Sequence, residues 1–456
     1  MTAVALILAA GQGTRMRSRR PKVLHPLCGR PMLAYVVDAA TSATGSAPWI
    51  VVSPAVETAM RDALGPTACL AVQPQQLGTG DALRVGLAAL PAPVAEVVVA
   101  SGDAPLISAA TLARLAQVRG ETGAVMALAT SEPDDPTGYG RVVSDEAGPL
   151  RVVEEKDATA DERAVPEVAG GAYAFEVAWL RGALERLRPS EATGELYLTG
   201  LVALARADGR GVVAVPVEDD VELAGVNDRV QLATAEADLR WRILERHLLA
   251  GVTMQDPTTV YVDDAVQLAP DVVLEPNVIL RGRTAVGEGS VVGAGSQLID
   301  SRIGAGCRIW ASVLESSEVD DGATVGPFAH LRPGSSVGAG AEVGNFAELK
   351  QTRLGPRSKQ HHMSYLGDAT IGEGVNVGAG TITANYDGRR KHPTAIGDGA
   401  FLGVDTMLVA PITVGKGSRT GAGAVVTRDV PDGKLAVGVP ARIREPRPRP
   451  EDAGGS

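Results

Sequence analysis

At 456 residues the chain is too long for one ordinary hydrophobic core, so two or three domains are expected. A formal net charge of −11 without a long basic tract argues against nucleic acid as the main partner, and no apolar run reaches the ~20 residues of a membrane span. Cys28, Cys69 and Cys307 are odd in number and far apart, without metal spacing, and no signal peptide opens the sequence, so free thiols in a cytoplasmic protein are expected.

Residues 1–228 alternate short Val/Ile-rich runs with longer Ala/Leu stretches. "AVALILAA", "PWIVVS", "EVVVASGD" and "AVMALAT" read as strands, and "PMLAYVVDAATSA" and "TGDALRVGLAAL" as helices. This predicts a Rossmann-like α/β domain with a mainly parallel sheet, whose ligands sit at the carboxyl ends of the strands. Residues 229–250 contain no Gly or Pro before the end, and Leu239, Ile243, Leu244 and Leu248 fall at helical spacing, which predicts a connecting helix.

From about Tyr261 to Val430 a six-residue template recurs: "VVGAGS", "RIGAGC", "SVGAGA", "TIGEGV", "TVGKGS". An aliphatic residue returning every sixth position predicts a parallel β-helix over 251–445, with three units to a coil and roughly nine coils. A flexible Gly-rich linker has no reason to keep that period. Two stretches, "LKQTRLGPRSKQHHMSYLGDA" and "TANYDGRRKHP", interrupt the template and are natural places for function. Residues 446–456 read as a disordered tail.

The strand-end turn "LAAGQGTRM" does not suit a dinucleotide fingerprint, because Met16 stands where the third glycine belongs. It does offer backbone N–H groups from Gly11 to Thr14, followed by the cations Arg15 and Lys22, which are the parts phosphoryl transfer needs. Asp103, at the end of a strand, and Asn227 offer oxygen ligands for Mg²⁺. The amides of Gln73 and Gln76 could read a base edge beside the Gly78-Thr79 turn, with Gly140 and Glu154 further along the chain. In the repeat region, His361 and His362 are both candidates for the general base that acyl transfer to an amine requires, and spacing does not choose between them.

The ordered set "LAAGQGTRM", "PKVLH", "QPQQLGTGDA", "SGDAPLIS", "DDPTGYGRVV", "VVEEKDAT" and "GVNDRVQL" resembles the sugar-nucleotidyltransferase family. Joined to "HLRPG", "GNFAELK", "HHMSYLGDA" and "VGAGTITANYDG", the whole chain resembles the bacterial bifunctional family of N-acetylglucosamine-1-phosphate uridylyltransferases and glucosamine-1-phosphate N-acetyltransferases. The resemblance implies a left-handed β-helix, a homotrimer with active sites between subunits, Mg²⁺, and UTP and acetyl-CoA as co-substrates. It assigns Leu8, Ala9, Ala10, Gly11, Lys22, Gln73, Gln76, Gly78, Thr79, Ser101, Gly102, Asp103, Gly140, Glu154, Ala169 and Asn227 to nucleotide and sugar. Arg15 and Lys22 would stabilise the transition state, and Asp103 and Asn227 would hold the metal. For acetyl transfer it selects His362 as the base, three residues before the tyrosine of "YLGD". It places Arg332, Lys350, Tyr365 and Asn376 at the sugar phosphate, and Ala379, Asn385, Tyr386, Val404, Ala422 and Arg442 at acetyl-CoA.

Three positions depart from the family pattern. "AGG" replaces "NTG", so Ala169 lacks an amide; Val404 replaces a serine; and the late CoA-contacting arginine has only Arg442 as a substitute. Two other readings are a single-activity nucleotidyltransferase whose β-helix serves assembly, and a scaffold without catalysis. The first leaves "HHMSYLGDA" and "ANYDG" without purpose, and the second does the same for Arg15, Lys22, Asp103 and Asn227.

Overall fold

The structure, a computed structural model, describes residues 3–91 and 94–445. The tail expected at 446–456 lies outside them. The chain forms two compact units, Met1–Leu239 and Arg240–Ser456.

In the first unit, β1 (Ala3–Leu8), α1 (Met32–Thr44), β2 (Trp49–Val52), β3 (Cys69–Val72), α2 (Thr79–Ala89), β4 (Glu96–Ser101), α3 (Ala109–Thr122) and β5 (Met126–Ser131) follow the expected alternation. A hairpin of β6 (Gly140–Asp145) and β7 (Gly148–Val153) comes next, then β8 (Val168–Glu176) and β9 (Val212–Pro216). The sheet order is β9-β5-β8-β4-β1-β2-β3, with the hairpin joined through β6 to β8. Pairs β1–β2, β1–β4, β2–β3 and β5–β9 are parallel. β8 runs antiparallel to both β4 and β5, while the other six strands of this path share one direction, so the sheet is mainly parallel, as expected, with one reversed strand. Local apolar pattern does not encode strand direction, which the partner strands set. The core is built on Leu6, Val97, Val99, Met126, Leu128 and Phe175, each buried. Ser108 caps α3 by accepting from the Thr111 amide, and Gly45 closes α1 at φ +69°. The connecting helix, α4, runs Arg229–Leu249, and the division between the two units falls within it.

The second unit is the left-handed β-helix of hexapeptide repeats, with three sheets of 12, 10 and 9 strands among the described residues. Val262, Leu280, Leu298, Leu314, Leu331, Leu349 and Leu366 pair coil to coil and are all buried, forming one apolar column inside the prism. Neighbouring coils supply most backbone hydrogen bonds.

One of the two expected interruptions is not an insertion. Val343 pairs with Gln360 and Leu349 with Leu366 at ordinary coil spacing, so the "LKQTRLGPRSKQHHMSYLGDA" stretch keeps the fold. Gln360 takes the inward aliphatic place, fully buried; its Nε2 donates to Ser364 Oγ at 3.1 Å, while its Oε1 has no partner among the described residues. The "TANYDGRRKHP" stretch is a true insertion, since Ile371 pairs with Ile396. Among the described residues no helix is long and apolar enough to cross a membrane.

Candidate functional sites

The carboxyl ends of β1 and β4 open into a cavity of about 480 Å³ lined by Leu8, Ala10, Gly11 to Arg15, Lys22, Gln73, Gln76, Gly78, Thr79, Ser101, Asp103 and Asn227. Gly13 adopts φ +61°, and a Cβ there would stand 2.6 Å from the Lys22 Cβ, so only glycine lets the turn and the lysine approach each other. Gly78 adopts φ +116°, and a Cβ there would meet the Leu196 carbonyl oxygen at 2.6 Å. Gln73 Nε2 donates to the buried Asp81 at 2.8 Å, and Gln76 Nε2 donates to the Ala10 carbonyl. Both NH₂ groups are thus engaged by the protein.

At the cavity floor the Lys22 ammonium bonds the Asp103 carboxylate and, at 3.1 Å, Asn227 Oδ1. Ser101 Oγ donates to the other Asp103 oxygen at 2.6 Å. Two oxygens from distant parts of the chain therefore converge on one cation. That donor set, hard and sparse, fits Mg²⁺, which takes its remaining ligands from phosphate and water. Among the described residues no group of three His, Cys, Asp or Glu could hold a metal.

A second cavity, about 280 Å³, shares Leu8, Thr79, Ser101, Asp103 and Asn227 with the first and adds Tyr139, Gly140, Glu154, Ala169, Tyr173 and Thr199. The register of β8 slips between Ala169 and Tyr173, with Gly171 at φ +71°, and this bulge aims Ala169 at the cavity. Burial pushes the Glu154 carboxyl above its ordinary range, opposed by the Thr199 hydroxyl, which donates to Glu154 at 2.6 Å. Thr199 carries no motif signal in "LYLTGL", which is why the sequence reading misses it. Ala9 and Gly102, which the resemblance assigns to nucleotide and sugar, line neither cavity. The Ala9 amide bonds the Val51 carbonyl and the Gly102 amide the Leu8 carbonyl, so both join strands behind the site.

In the β-helix, backbone bonds from Gly380 to His362, from Asp405 to Ala379 and from Gly423 to Val404 order one corner as His362, Ala379, Val404 and Ala422 in successive coils. His362 is exposed at φ +57°, whereas His361 turns aside to Glu342, with Nε2 to Oε2 at 3.2 Å. The two rings stand edge-on, 5.6 Å apart. After the corner, one sheet carries Lys350 and Tyr365, and Arg332 directly follows one of its strands, its amide bonding the Leu349 carbonyl and its side chain pairing with Glu348 at 3.1 Å. Gly367 follows Lys350 in register, and a Cβ there would stand 2.4 Å from the Tyr365 hydroxyl and 2.5 Å from the Asn385 amide nitrogen. Asn385 is buried and donates to Asp368, while Tyr386 is exposed on the insertion. Asn376 lies on the sheet before the corner, between Lys359 and Phe401, and so stands on a different face from Arg332. Arg442 is exposed and pairs with Val437, whose side chain abuts Gly421 beside Ala422.

A glycine turn at strand ends, two joined cavities and a convergent lysine-carboxylate-amide group, followed by a hexapeptide β-helix, define a nucleotidyltransferase domain coupled to an acyltransferase-type prism. The MobA-like NTP transferase domain family matches residues 5–168. The chain is 46% identical over 434 residues to the bifunctional protein GlmU of Heliobacterium modesticaldum, covering 95% of this chain and 94% of that protein. It is 48% identical over 443 residues to that of Kineococcus radiotolerans (96% and 90%), and 45% identical over 441 to that of Mycobacterium bovis (95% and 89%). The chain belongs to the GlmU family. It is an enzyme with two transferase activities, nucleotidyl transfer on the NTP transferase domain and acetyl transfer on the hexapeptide region.

Proposed function

We propose that the protein makes UDP-N-acetylglucosamine in two steps, with residues 1–228 as uridylyltransferase, 229–250 as linker and 251–445 as N-acetyltransferase. In the first step the 2-amino group of glucosamine 1-phosphate attacks the thioester carbonyl of acetyl-CoA, His362 takes the amine proton, and CoA leaves as its thiol. Arg332 and Lys350 face the sugar phosphate as two cations against a dianion. In the second step a phosphate oxygen of N-acetylglucosamine 1-phosphate attacks the α-phosphorus of UTP, and pyrophosphate leaves. The nucleotide occupies the first cavity and the sugar the second. Arg15 and Lys22 hold the charge that spreads over the phosphates in the transition state. Asp103 and Asn227 would hold Mg²⁺, which would supply positive charge against the phosphates.

The observation that carries this reading is the position of Asp103 and Asn227 in the walls of both cavities. The reacting phosphates of two substrates meet there. Asn376 and Arg332 stand on different faces of one prism, which supports an acetyl site completed by a second copy and hence a homotrimer. A location in the cytoplasm follows from the supply of UTP and acetyl-CoA.

A split assay tests the proposal. CoA release is followed from acetyl-CoA and glucosamine 1-phosphate, and pyrophosphate release from UTP, Mg²⁺ and N-acetylglucosamine 1-phosphate. His362→Ala is expected to lose CoA release about 100-fold or more and to keep pyrophosphate release. Retained CoA release removes His362 from the acetyl site.

A further inference from the structure

Arg229 opens α4 two residues after Asn227, and it lines neither cavity. Its side chain turns back to the basic segment that follows the glycine turn. Nε donates to the Met16 carbonyl at 3.3 Å, and a terminal nitrogen lies 3.4 Å from His25 Nδ1. Met16 is 1% exposed and His25 4%, so both anchors are fixed in the core. Arg15 directly precedes the first anchor. Lys22 is tied to the second, because the His25 amide donates to the Lys22 carbonyl at 3.2 Å.

Burial first, then Arg229 and Arg20, push the His25 imidazole below its ordinary range. A neutral ring can present Nδ1 as an acceptor to the guanidinium, with its proton on Nε2. Nε2 is buried and has no partner among the described residues, so the ring gives up one hydrogen bond while it faces Arg229. The segment is sharply bent at both ends of the Arg15 turn, with Gly13 at φ +61° and Arg17 at φ +48°. Such a turn needs outside contacts to hold its place.

We propose that Arg229 is a positioning residue for nucleotidyl transfer, a two-point clasp that bonds Met16 and His25 and so sets Arg15 and Lys22 against the phosphates while Asn227, on the same turn of chain, faces the metal. The proposal rests on the assignment of Arg15 and Lys22 to the phosphates. A guanidinium reaches both anchors at once in a fixed plane, whereas an ammonium reaches one.

The full-length protein carries its own control, since the acetyl reaction reports on the other unit. Arg229→Met is expected to lower kcat for pyrophosphate release about tenfold or more, because a small displacement of oriented charges weakens the transition state more than the ground state. KM for UTP changes less than kcat, CoA release is unchanged, and Arg229→Lys recovers part of the loss. Lys22→Met is run alongside. If Lys22→Met releases pyrophosphate at the wild-type rate, the assignment of the cations fails and the clasp with it. If Lys22→Met is inactive while Arg229→Met keeps wild-type kcat, the clasp alone is overturned. Loss of activity in Arg229→Met and Arg229→Lys alike, matched by equal loss of thermal stability, also overturns it, because Arg229 then only holds the fold.

Discussion

Lys22 Nζ lies 3.1 Å from Asn227 Oδ1 across 205 positions of chain, and the same ammonium pairs with Asp103. One cation thus gathers the end of β4, the glycine-turn segment and the entry to α4 at a single point. A divalent cation held by Asp103 and Asn227, as proposed, would compete with the ammonium for the same two oxygens. Substrate phosphates would then offer Lys22 an alternative anionic partner and leave the two oxygens to the metal.

Lys22→Met should therefore have two opposite effects. Pyrophosphate release falls about 100-fold or more, as for loss of a charge aimed at the transition state. Binding of Mn²⁺ to the nucleotide-free protein, read by electron paramagnetic resonance, tightens about tenfold, a difference of about 1.4 kcal/mol. Weaker Mn²⁺ binding in the variant would show that the lysine and the metal do not share Asp103 and Asn227.

Glu154 is a half-buried acid in the wall of the second cavity, and the Thr199 hydroxyl donates to it at 2.6 Å. Burial raises its pKa above the ordinary glutamate range. The folded protein then holds this proton where the unfolded chain has lost it, so the carboxyl costs stability as pH rises from the ordinary range through the raised one, and that cost persists above it. Glu154→Gln should raise the stability of the first unit by about 1 kcal/mol at neutral pH and leave it unchanged in acid. Calorimetric unfolding at both pH values decides, and a loss of stability at neutral pH would mean that the folded state favours the carboxylate.

Much of this was legible because it was local or periodic. The column from Val262 to Leu366 repeats every coil, so the six-residue period announces it, and β1, β2, β4 and β5 are each a compact apolar run. The antiparallel course of β8 was not legible, because direction is decided by β4 and β5, which lie far away in sequence. The polar stretch around Gln360 looked like an interruption because a hydrogen-bonded amide had taken an aliphatic place. Lys22, Asp103 and Asn227 were singled out from motifs in the sequence, and the structure brings these three side chains together. Ala9 and Gly102 belong to the same motifs, yet their amides serve the sheet. Thr199 and Arg229 act through side-chain bonds to residues 45 and 213 positions away, and nothing nearby in sequence signals such bonds.

Ala169 stands in the wall of the second cavity at the β8 bulge, 8% exposed, where a methyl group can make no polar contact with a sugar. Ala169→Asn places an amide in that wall. A single added hydrogen bond of about 1 kcal/mol should lower KM for N-acetylglucosamine 1-phosphate several-fold without changing kcat. Steady-state kinetics of pyrophosphate release reads the result. An increased KM would show that the cavity uses the space beside Ala169 for the sugar itself.

Gly367 tests the acetyl face in the same spirit. It follows Lys350 in the coil register, and its missing side chain leaves room for the Tyr365 hydroxyl and the Asn385 amide, which would stand 2.4 and 2.5 Å from a Cβ. Its backbone amide bonds Thr383 Oγ1 at 2.7 Å, and that bond does not depend on the side chain. Gly367→Ala should therefore leave the prism folded while pushing Tyr365 and Asn385 apart. CoA release is expected to fall about tenfold, the usual consequence of a small misplacement at a reacting centre, with pyrophosphate release unchanged. Wild-type CoA release in Gly367→Ala would mean that Tyr365 and Asn385 do not act together on the acyl acceptor, and would move the acetyl site toward the corner occupied by His362 and Ala379.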